Sequence, residues 1–416
     1  MFTHSATPAP ATEPRRDRTT LVAVLVCWLF VVFDGYDLIV YGNVISSLQR
    51  EWGIGTAAAG TLGSLAFVGM MIGAVLAGRL SDALGRKRAV IGCAVVLSVF
   101  TALCAFATGP VVFGVLRLIA GIGLGGLVPT ANALAAELIR PKWRGPVATM
   151  MMSGVPIGGS IAALLAIPVI PRFGWQPMFL LALLPLVVLV PVAIRTLPDR
   201  TFGEVNRSRP RGFGALLGPQ FRNISILFAL STMCTLLAWY GLGTWLPKLM
   251  QGGGTDLGSA LTFALALNLG AVAGSFVTAW GAVRFGTIPM SIVAAAIAGG
   301  ALLALLAGPP VALVYVIFVL AGVGTHGTQC LIIAAVASHY PDELRGTALG
   351  WALGIGRIGA VSAPQIGGWL LAAGLGAGSN FVLFAVSALT ASLLLTVIWR
   401  RQGAPAETSR ALVLAH

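Results

Sequence analysis

Long apolar segments recur along the whole chain, from Leu21 to Trp399. Each is close to the roughly 20 residues that an α-helix needs to cross the hydrocarbon core of a bilayer. Charge is correspondingly scarce, since 9% of the 416 residues are charged and 57% are hydrophobic. About a quarter of the residues of a soluble domain carry charge. The sequence therefore predicts an all-α membrane protein that crosses the bilayer many times.

Twelve transmembrane helices are predicted from the apolar segments and the polar breaks between them. Their approximate spans are 21–48, 57–79, 89–107, 110–138, 145–170, 174–195, 221–247, 256–280, 287–307, 310–338, 345–373 and 379–399. A connection rich in arginine, proline and glycine follows the sixth helix and is predicted to be an exposed linker. The predicted domains are an N-terminal tail (1–20), a six-helix bundle (21–195), the linker (196–220), a second six-helix bundle (221–399) and a C-terminal tail (400–416).

Basic residues are distributed unevenly between the two sides of this predicted topology. Of the 26 Lys and Arg residues, 21 fall in the tails and the even-numbered loops, three in the odd-numbered loops and two inside spans. The positive-inside rule then predicts that both termini are cytoplasmic, as in a multi-pass protein of the bacterial inner membrane. The net charge of +13 is thus explained by topology and does not indicate nucleic-acid binding.

The two halves of the chain repeat each other. The segment AGIGLGG at 120–126 matches AGVGTHG at 321–327, and the same offset of 201 residues takes Arg144-Gly145 to Arg345-Gly346 without a gap. Two parallel six-helix repeats place a binding site near the membrane midplane between the halves and favour a rocking type of alternating access. The expected architecture is therefore two pseudo-symmetric bundles around a central site.

Very few ionisable side chains fall deep within the predicted spans: Asp34, Asp37, Arg117, His326 and Arg357. A charged side chain at the centre of a membrane helix costs roughly 2.5–3.5 kcal/mol on insertion scales, so such residues are candidate functional sites. Two roles remain open for the acids on helix 1. They handle protons, as the helix moves them between a site beside Arg117 and a site without a partner, or they form a static ion pair with Arg117. Of the two, Asp37, at the helix centre, is the first choice as proton carrier.

Arg357 lies near the middle of helix 11, in the half of the protein that has no predicted intramembrane acid. Its planar guanidinium matches a carboxylate in two parallel hydrogen bonds. We therefore predict that Arg357 binds a carboxylate substrate. The alternative is that it pairs with backbone carbonyls or with Gln365.

Further polar and aromatic side chains in the spans are candidates for substrate binding. His326 and Gln329, three residues apart on helix 10, and Asn268 on helix 8 offer hydrogen bonds, although each also fits a simple helix-to-helix contact. The aromatic candidates for stacking on a substrate ring are Tyr36, Trp239, Tyr240 and Trp351, and Tyr41 continues the face of the two acids on helix 1. Packing or interface anchoring is the alternative for the aromatic residues.

Several motifs resemble those of the major facilitator superfamily. They are GRLSDALGRKR at 78–88, RLIAGIGLGG at 117–126 and GVPIGG at 154–159. Within that superfamily, DGYD on helix 1, LVPTANALAAE at the end of helix 4 and GWALGIGRIGA on helix 11 resemble the aromatic acid:proton symporter family. The loop at 278–286, TAWGAVRFG, departs from the first motif because it keeps Arg284 and Gly286 but lacks the acid and the basic cluster.

The resemblance implies the major facilitator fold and a cytoplasmic gate in which an ionic latch closes the cytoplasmic side and breaks when that side opens. The gate residues would be Gly78, Asp82, Gly85, Arg86, Arg88, Glu137 and Arg144. A solvated cluster of positive-inside charges is the alternative.

The resemblance also implies a proton-coupled symporter that imports an aromatic carboxylate such as benzoate or a hydroxybenzoate. Importing a monoanion against an inside-negative potential costs about 2.3 kcal/mol per 100 mV, which one accompanying proton cancels. The expected partners are the substrate, protons and the bilayer, without nucleic acid, and the expected form is a monomer. No enzymatic activity, metal or cofactor is expected. The alternatives are a proton-coupled exporter of drugs or aromatic compounds and an importer of a non-aromatic carboxylate.

Overall fold

A computed structural model describes residues 18–198 and 213–402, and within them it leaves undescribed the side chains at positions 18, 78, 82, 141, 213, 342 and 402. Most of the predicted tails and linker therefore lies outside the described residues. What is described is helical, and it confirms the predicted twelve helices in two bundles.

The first bundle contains α1 (Arg18–Trp52), α2 (Thr56–Leu84), α3 (Arg86–Cys104), α4 (Pro110–Leu138), α5 (Arg144–Phe173) and α6 (Gln176–Thr196). The second contains α7 (Arg222–Gly252), α8 (Leu257–Phe285), α9 (Thr287–Ala304), α10 (Val311–His339), α11 (Asp342–Ala372) and α12 (Gly376–Gln402). A short helix, Phe213–Leu216, lies in the predicted linker and packs against α11.

The observed helices differ from the predicted spans mainly at their ends and in α6. α1 runs to Trp52 rather than to residue 48, because polar residues can continue a helix beyond the apolar segment that marks it. α6 was predicted as one continuous helix, but it contains a π-helical turn at Pro185–Leu189. Proline has no backbone N–H to donate and its ring crowds the preceding turn, so Pro185 disturbs the regular α-helical ladder.

α11 differs from the other long helices in composition. Eleven of the described helices are long and apolar enough to cross a membrane, and α11 is not among them although it has 31 residues. Arg357, Gln365 and many glycines lower its mean hydropathy. It packs against α7 of its own half and α2 of the other half, so its polar side chains lie at the interface between the bundles.

The predicted repeat is visible in the packing of the helices. α2 packs on α4 as α8 packs on α10, and α1 packs on α5 as α7 packs on α11. The same backbone approaches recur at an offset of 201 residues: a methyl group on Gly158 would overlap the carbonyl oxygen of Val32, and one on Gly359 would overlap that of Met233. Close backbone approach at small residues is the usual way in which membrane helices pack. Each half therefore has the same framework.

The two halves meet along α2 with α11, α5 with α8, and α1 with α7. We name the sides of the protein from the charge distribution, so that α1 begins on the cytoplasmic side. In the external part of the interface, Thr61 donates a hydrogen bond to Gln365 (2.9 Å) and Ser64 donates one to the carbonyl of Val361 (2.7 Å). The halves are therefore in contact on the external side.

On the cytoplasmic side, the same face of α11 is free of the other half. Gly350 and Gly354 follow Arg357 toward the cytoplasm on this face, and a methyl group on either would meet no atom within 4 Å. Both glycines are exposed. The two halves are thus in close contact in the external part of the interface, whereas α11 has open space beside it on the cytoplasmic side.

Candidate functional site

Asp37 and Arg117 form a buried ion pair inside the first bundle. Arg117 donates from Nη1 to Oδ2 of Asp37 at 2.8 Å and from Nη2 to the Asp37 carbonyl at 3.4 Å. Thr101 on α3 donates to the other carboxylate oxygen at 2.7 Å. Both charged residues are 1% exposed. The pair therefore ties α1 to α3 and α4 with its charges and most of its hydrogen-bonding atoms satisfied.

Asp34 lies one turn earlier on α1 and has different surroundings. It is also 1% exposed, but its Oδ1 atom has no hydrogen-bond partner. The cation with which it interacts electrostatically is Arg357, from the opposite half. An ionised carboxylate buried with an unsatisfied oxygen is costly. Asp34 is therefore buried without the set of hydrogen bonds that satisfies Asp37.

Arg357 faces the interface from α11 and is partly buried. Its Nη1 donates to the thioether sulfur of Met70, 3.7 Å away on α2, which is a weak acceptor. Tyr240, which packs on Phe67 with ring centroids 4.6 Å apart, lies beside Arg357 and interacts with it. Gln365, the alternative partner, instead accepts a hydrogen bond from Thr61. Arg357 therefore retains donors for an anion.

The second half adds a polar and aromatic wall. The Nε2 atom of His326 lies 3.3 Å from the carbonyl oxygen of Met152 on α5 and 3.6 Å from the sulfur of Cys330. Its ring is 5.2 Å from that of Trp239, centroid to centroid. Trp239 is next to Tyr240 in the chain, and Tyr240 lies beside Arg357. The polar and aromatic wall is therefore adjacent to the surroundings of Arg357.

Two buried amides of the second half have unsatisfied atoms. Gln329 has no hydrogen-bond partner at either side-chain amide atom, and Asn268 has none at Oδ1 while its nitrogen donates to the carbonyl of Ala264. Asn268 Oδ1 lies against Gly159 of α5, because a methyl group on that glycine would overlap it. Asn268 therefore has an unsatisfied oxygen where α8 meets α5, and Gln329 has two unsatisfied amide atoms on α10.

Three of the predicted aromatic residues are not brought to the interface beside Arg357. Tyr36 donates to the carbonyl of Met178 on α6, within the first bundle. Tyr41 donates to the carbonyl of Ala59, and its ring lies 5.8 Å from the guanidinium of Arg117. Trp351 donates to the carbonyl of Ser225 in the cytoplasmic part of the second bundle. Their orientations fit packing and, for Tyr41, support of the Arg117 pair.

The predicted gate residues lie at the cytoplasmic ends of α2 to α5. Arg86 and Glu137 form an ion pair at 2.5 Å, which joins α3 to α4 of the same bundle. Arg88 and Arg144 are exposed. Gly78 and Asp82 belong to α2, but the surroundings of these two residues are not described. The Arg86–Glu137 pair therefore lies within the first bundle and does not itself join the two halves, and the latch remains a prediction.

The turns on the cytoplasmic side preserve the repeat even where the motif is lost. Gly85 between α2 and α3 has φ +86°, and Gly286 between α8 and α9, 201 residues later, has φ +93°. Residues with a Cβ atom rarely adopt this conformation. The glycine that survives in TAWGAVRFG is thus required by the turn.

Two residues near the candidate site, Thr101 and Met70, are not predicted from the sequence. Thr101 completes the coordination of Asp37, and Met70 contacts Arg357. Neither is unusual in an apolar helix, so no signal in the sequence alone distinguishes them from ordinary packing residues.

Comparison with known proteins agrees with this architecture. The family model of the Major Facilitator Superfamily matches residues 27–364. The gentisate transporter of Corynebacterium glutamicum is 60% identical over 392 residues, which cover 92% of this chain and 88% of that protein. The benzoate transport protein of Acinetobacter baylyi is 32% identical over 404 residues, which cover 88% and 86%.

A solved structure of a D-xylose-proton symporter is similar in fold, with a TM-score of 0.76 at 18% identity over 90% of this chain and 97% of that one. The match of the family model and the two relatives cover most of the chain, including both bundles. The chain therefore belongs to the major facilitator superfamily, among its aromatic acid transporters.

Proposed function

We propose that this transporter imports an aromatic carboxylate of the gentisate type together with protons, by alternating access. The observation that carries the proposal is the buried Asp34, which has one oxygen without a hydrogen-bond partner and feels the charge of Arg357 from the opposite half without forming an ion pair with it in the described structure. The substrate class is supported by the gentisate and benzoate transporters to which the chain is similar.

The coupling follows from competition for one arginine. In the absence of substrate, the guanidinium of Arg357 offsets the charge of Asp34. A substrate carboxylate that binds the guanidinium through two hydrogen bonds takes that partner away. Asp34 is then a buried carboxylate without a counter-charge, and binding a proton relieves the cost. Substrate and proton therefore bind together.

In this proposal Asp37 has a different role from the proton carrier that the sequence favours. Its pair with Arg117 and its bond from Thr101 hold α1, α3 and α4 as one unit. The unsatisfied amides of Gln329 and Asn268 would hydrogen-bond ring hydroxyls, and Trp239 and Tyr240 would contact the ring. His326, already 3.3 Å from the Met152 carbonyl, would contribute to closing α10 on α5.

In the same proposal the protein lies in the inner membrane of a bacterium, with both termini in the cytoplasm. The uneven distribution of basic residues supports this orientation. It also makes the monomer the working unit, because Asp34, Arg357 and the surrounding polar residues all come from one chain. Protons are the coupling ion, and no other cofactor is proposed.

The test is uptake of radiolabelled gentisate into proteoliposomes, with the outside made acidic. Accumulation above the equilibrium level, abolished by a protonophore, is the expected result. Benzoate and hydroxybenzoates should compete, whereas aliphatic acids should not. If external acid instead drives efflux of preloaded substrate, the protein is an exporter, and equal competition by aliphatic acids would make it a general carboxylate carrier.

A further inference from the structure

The external side of the protein carries only three basic residues in the sequence, Arg50, Arg172 and Lys248. Two of them lie close to each other on opposite halves. Arg50 is in the last turn of α1 and Lys248 is near the end of α7. The two helices pack against each other earlier in this region, where a methyl group on Gly42 would overlap the carbonyl oxygen of Gly243. The two bases therefore follow directly outward from the seam between the halves.

These two cations repel each other and have little to neutralise them. Lys248 interacts electrostatically with Arg50, and the Nε atom of Arg50 donates to the carbonyl of Ser46 in its own helix. The external acids are engaged elsewhere in the described structure: Glu51 accepts a hydrogen bond from the indole of Trp175, and Asp256 accepts one from the backbone of Ser259. An anion placed between Arg50 and Lys248 would relieve their repulsion.

A polar stripe on α1 runs inward from this pair. Asn43, Ser46 and Gln49 occupy successive turns between Asp37 and Arg50. Both amide atoms of Asn43, the hydroxyl of Ser46 and the Oε1 atom of Gln49 are buried without hydrogen-bond partners. Buried polar atoms are almost always paired. Opening of the external side would give them partners, whether water or a polar substrate.

We propose that Arg50 and Lys248 form an outer binding site that receives the carboxylate of the substrate, with Gln49, Ser46 and Asn43 as the polar side chains next to it on α1. The proposal rests on the import direction given above. Two bases at a narrow entrance raise the local concentration of an anion and speed its binding. In the externally closed structure, their repulsion also favours reopening.

The test is the kinetics of aromatic acid uptake by Arg50→Gln and Lys248→Gln at low ionic strength. Each variant should raise the apparent KM about three- to tenfold, with a nearly unchanged maximal rate, since electrostatic steering acts on encounter. In about 0.5 M salt the difference should fall to within about twofold, because the Debye length is then only a few ångströms. The charge-retaining variants Arg50→Lys and Lys248→Arg should behave like the unmodified protein and report on folding.

Arg172→Gln is the matched control. Arg172 is exposed at the end of α5, and its substitution removes the same charge from the same side. Its KM should not change. An unchanged KM in the Arg50 and Lys248 variants at low salt would overturn the proposal, and so would an equal rise in the Arg172 variant. Absence of aromatic acid uptake by the unmodified protein would instead overturn the proposed function.

Discussion

Arg117 holds Asp37 through a hydrogen bond of 2.8 Å, whereas Asp34, one turn away on the same helix, keeps an oxygen without a partner. The two acids of the DGYD motif thus share a helix face but not an environment. One is locked into the first bundle, and the other lies where the two bundles meet. This difference leads to opposite expectations for the two corresponding amide substitutions.

Asp34→Asn should abolish proton-driven accumulation of substrate while retaining exchange of labelled for unlabelled substrate. The amide cannot take up a proton, but it also removes the buried charge that would otherwise block movement between the two states. The measurement compares uptake under a pH gradient with counterflow in proteoliposomes. Proton-driven accumulation at the unmodified level in this variant would contradict the role of Asp34.

Asp37→Asn should mainly destabilise the protein. It leaves the buried guanidinium of Arg117 without a counter-charge. Removing one partner of a buried ion pair lowers the free energy of unfolding by about 3–5 kcal/mol. The loss is measured as a lower melting temperature and a lower yield of monodisperse protein in detergent. Asp34→Asn is the control, because the carboxylate it removes has no ion-pair partner within 4 Å in the described structure. Equal melting temperatures for the two variants would contradict this assignment.

Arg357→Gln should weaken substrate binding by about 2 kcal/mol or more, equivalent to about 30-fold in Kd, because a carboxylate loses its charged partner. Arg357→Lys should recover only part of this, since an ammonium group cannot form the two parallel bonds. Both effects can be measured as substrate-induced thermal stabilisation. Arg284→Gln is the control: Arg284 stacks on Trp280 near the cytoplasmic end of α8, and its loss should not change binding. Normal affinity in Arg357→Gln would exclude Arg357 as the carboxylate site.

Gly60→Leu should prevent closure of the external side. A methyl group at Gly60 would already lie 2.6 Å from the carbonyl oxygen of Pro364 on α11, so a larger side chain holds α2 and α11 apart. A cysteine introduced at Ser64, which is buried against the Val361 carbonyl of α11, in a cysteine-free background should then react several times faster with an impermeant external maleimide, and uptake should fall.

Gly350→Leu serves as the comparison for this experiment, because the space around Gly350 is empty on the cytoplasmic side. Labelling at Ser64 should stay slow in that variant. Equal labelling rates in Gly60→Leu and in the unmodified protein would show that α2 and α11 do not close the external side at this point.

Hydropathy and the repeat predict most of the fold, because both follow from the local composition of each helix. The twelve helices, their order and the equivalence of the halves can all be obtained from the sequence. The π-helical turn in α6 cannot, since whether Pro185 bends, breaks or merely loosens a helix depends on its neighbours. The helix ends are also poorly marked, because Arg50 and Glu51 extend α1 beyond its apolar segment.

The site is less predictable than the fold for a related reason. A spacing of three residues places Asp34 and Asp37 on one face, but it does not say which neighbouring helix each acid meets. The same holds for Trp351 and Tyr36, whose side chains bond within their own halves, and for Arg357, whose surroundings come largely from α2 and α7. Contacts between distant helices decide these cases, and a single helix does not encode them.

The repeat also has an evolutionary consequence. At the offset of 201 residues, the position equivalent to Asp34 is Thr235 and the position equivalent to Arg357 is Pro156. The duplicated framework therefore carries Asp34 in the first copy and Arg357 in the second, and neither has a counterpart in the other copy. Under the function proposed here, mutations in the second copy can retune which carboxylate is accepted while the first copy keeps its coupling to protons. New nutrient specificities would then arise by divergence of one half of the gene.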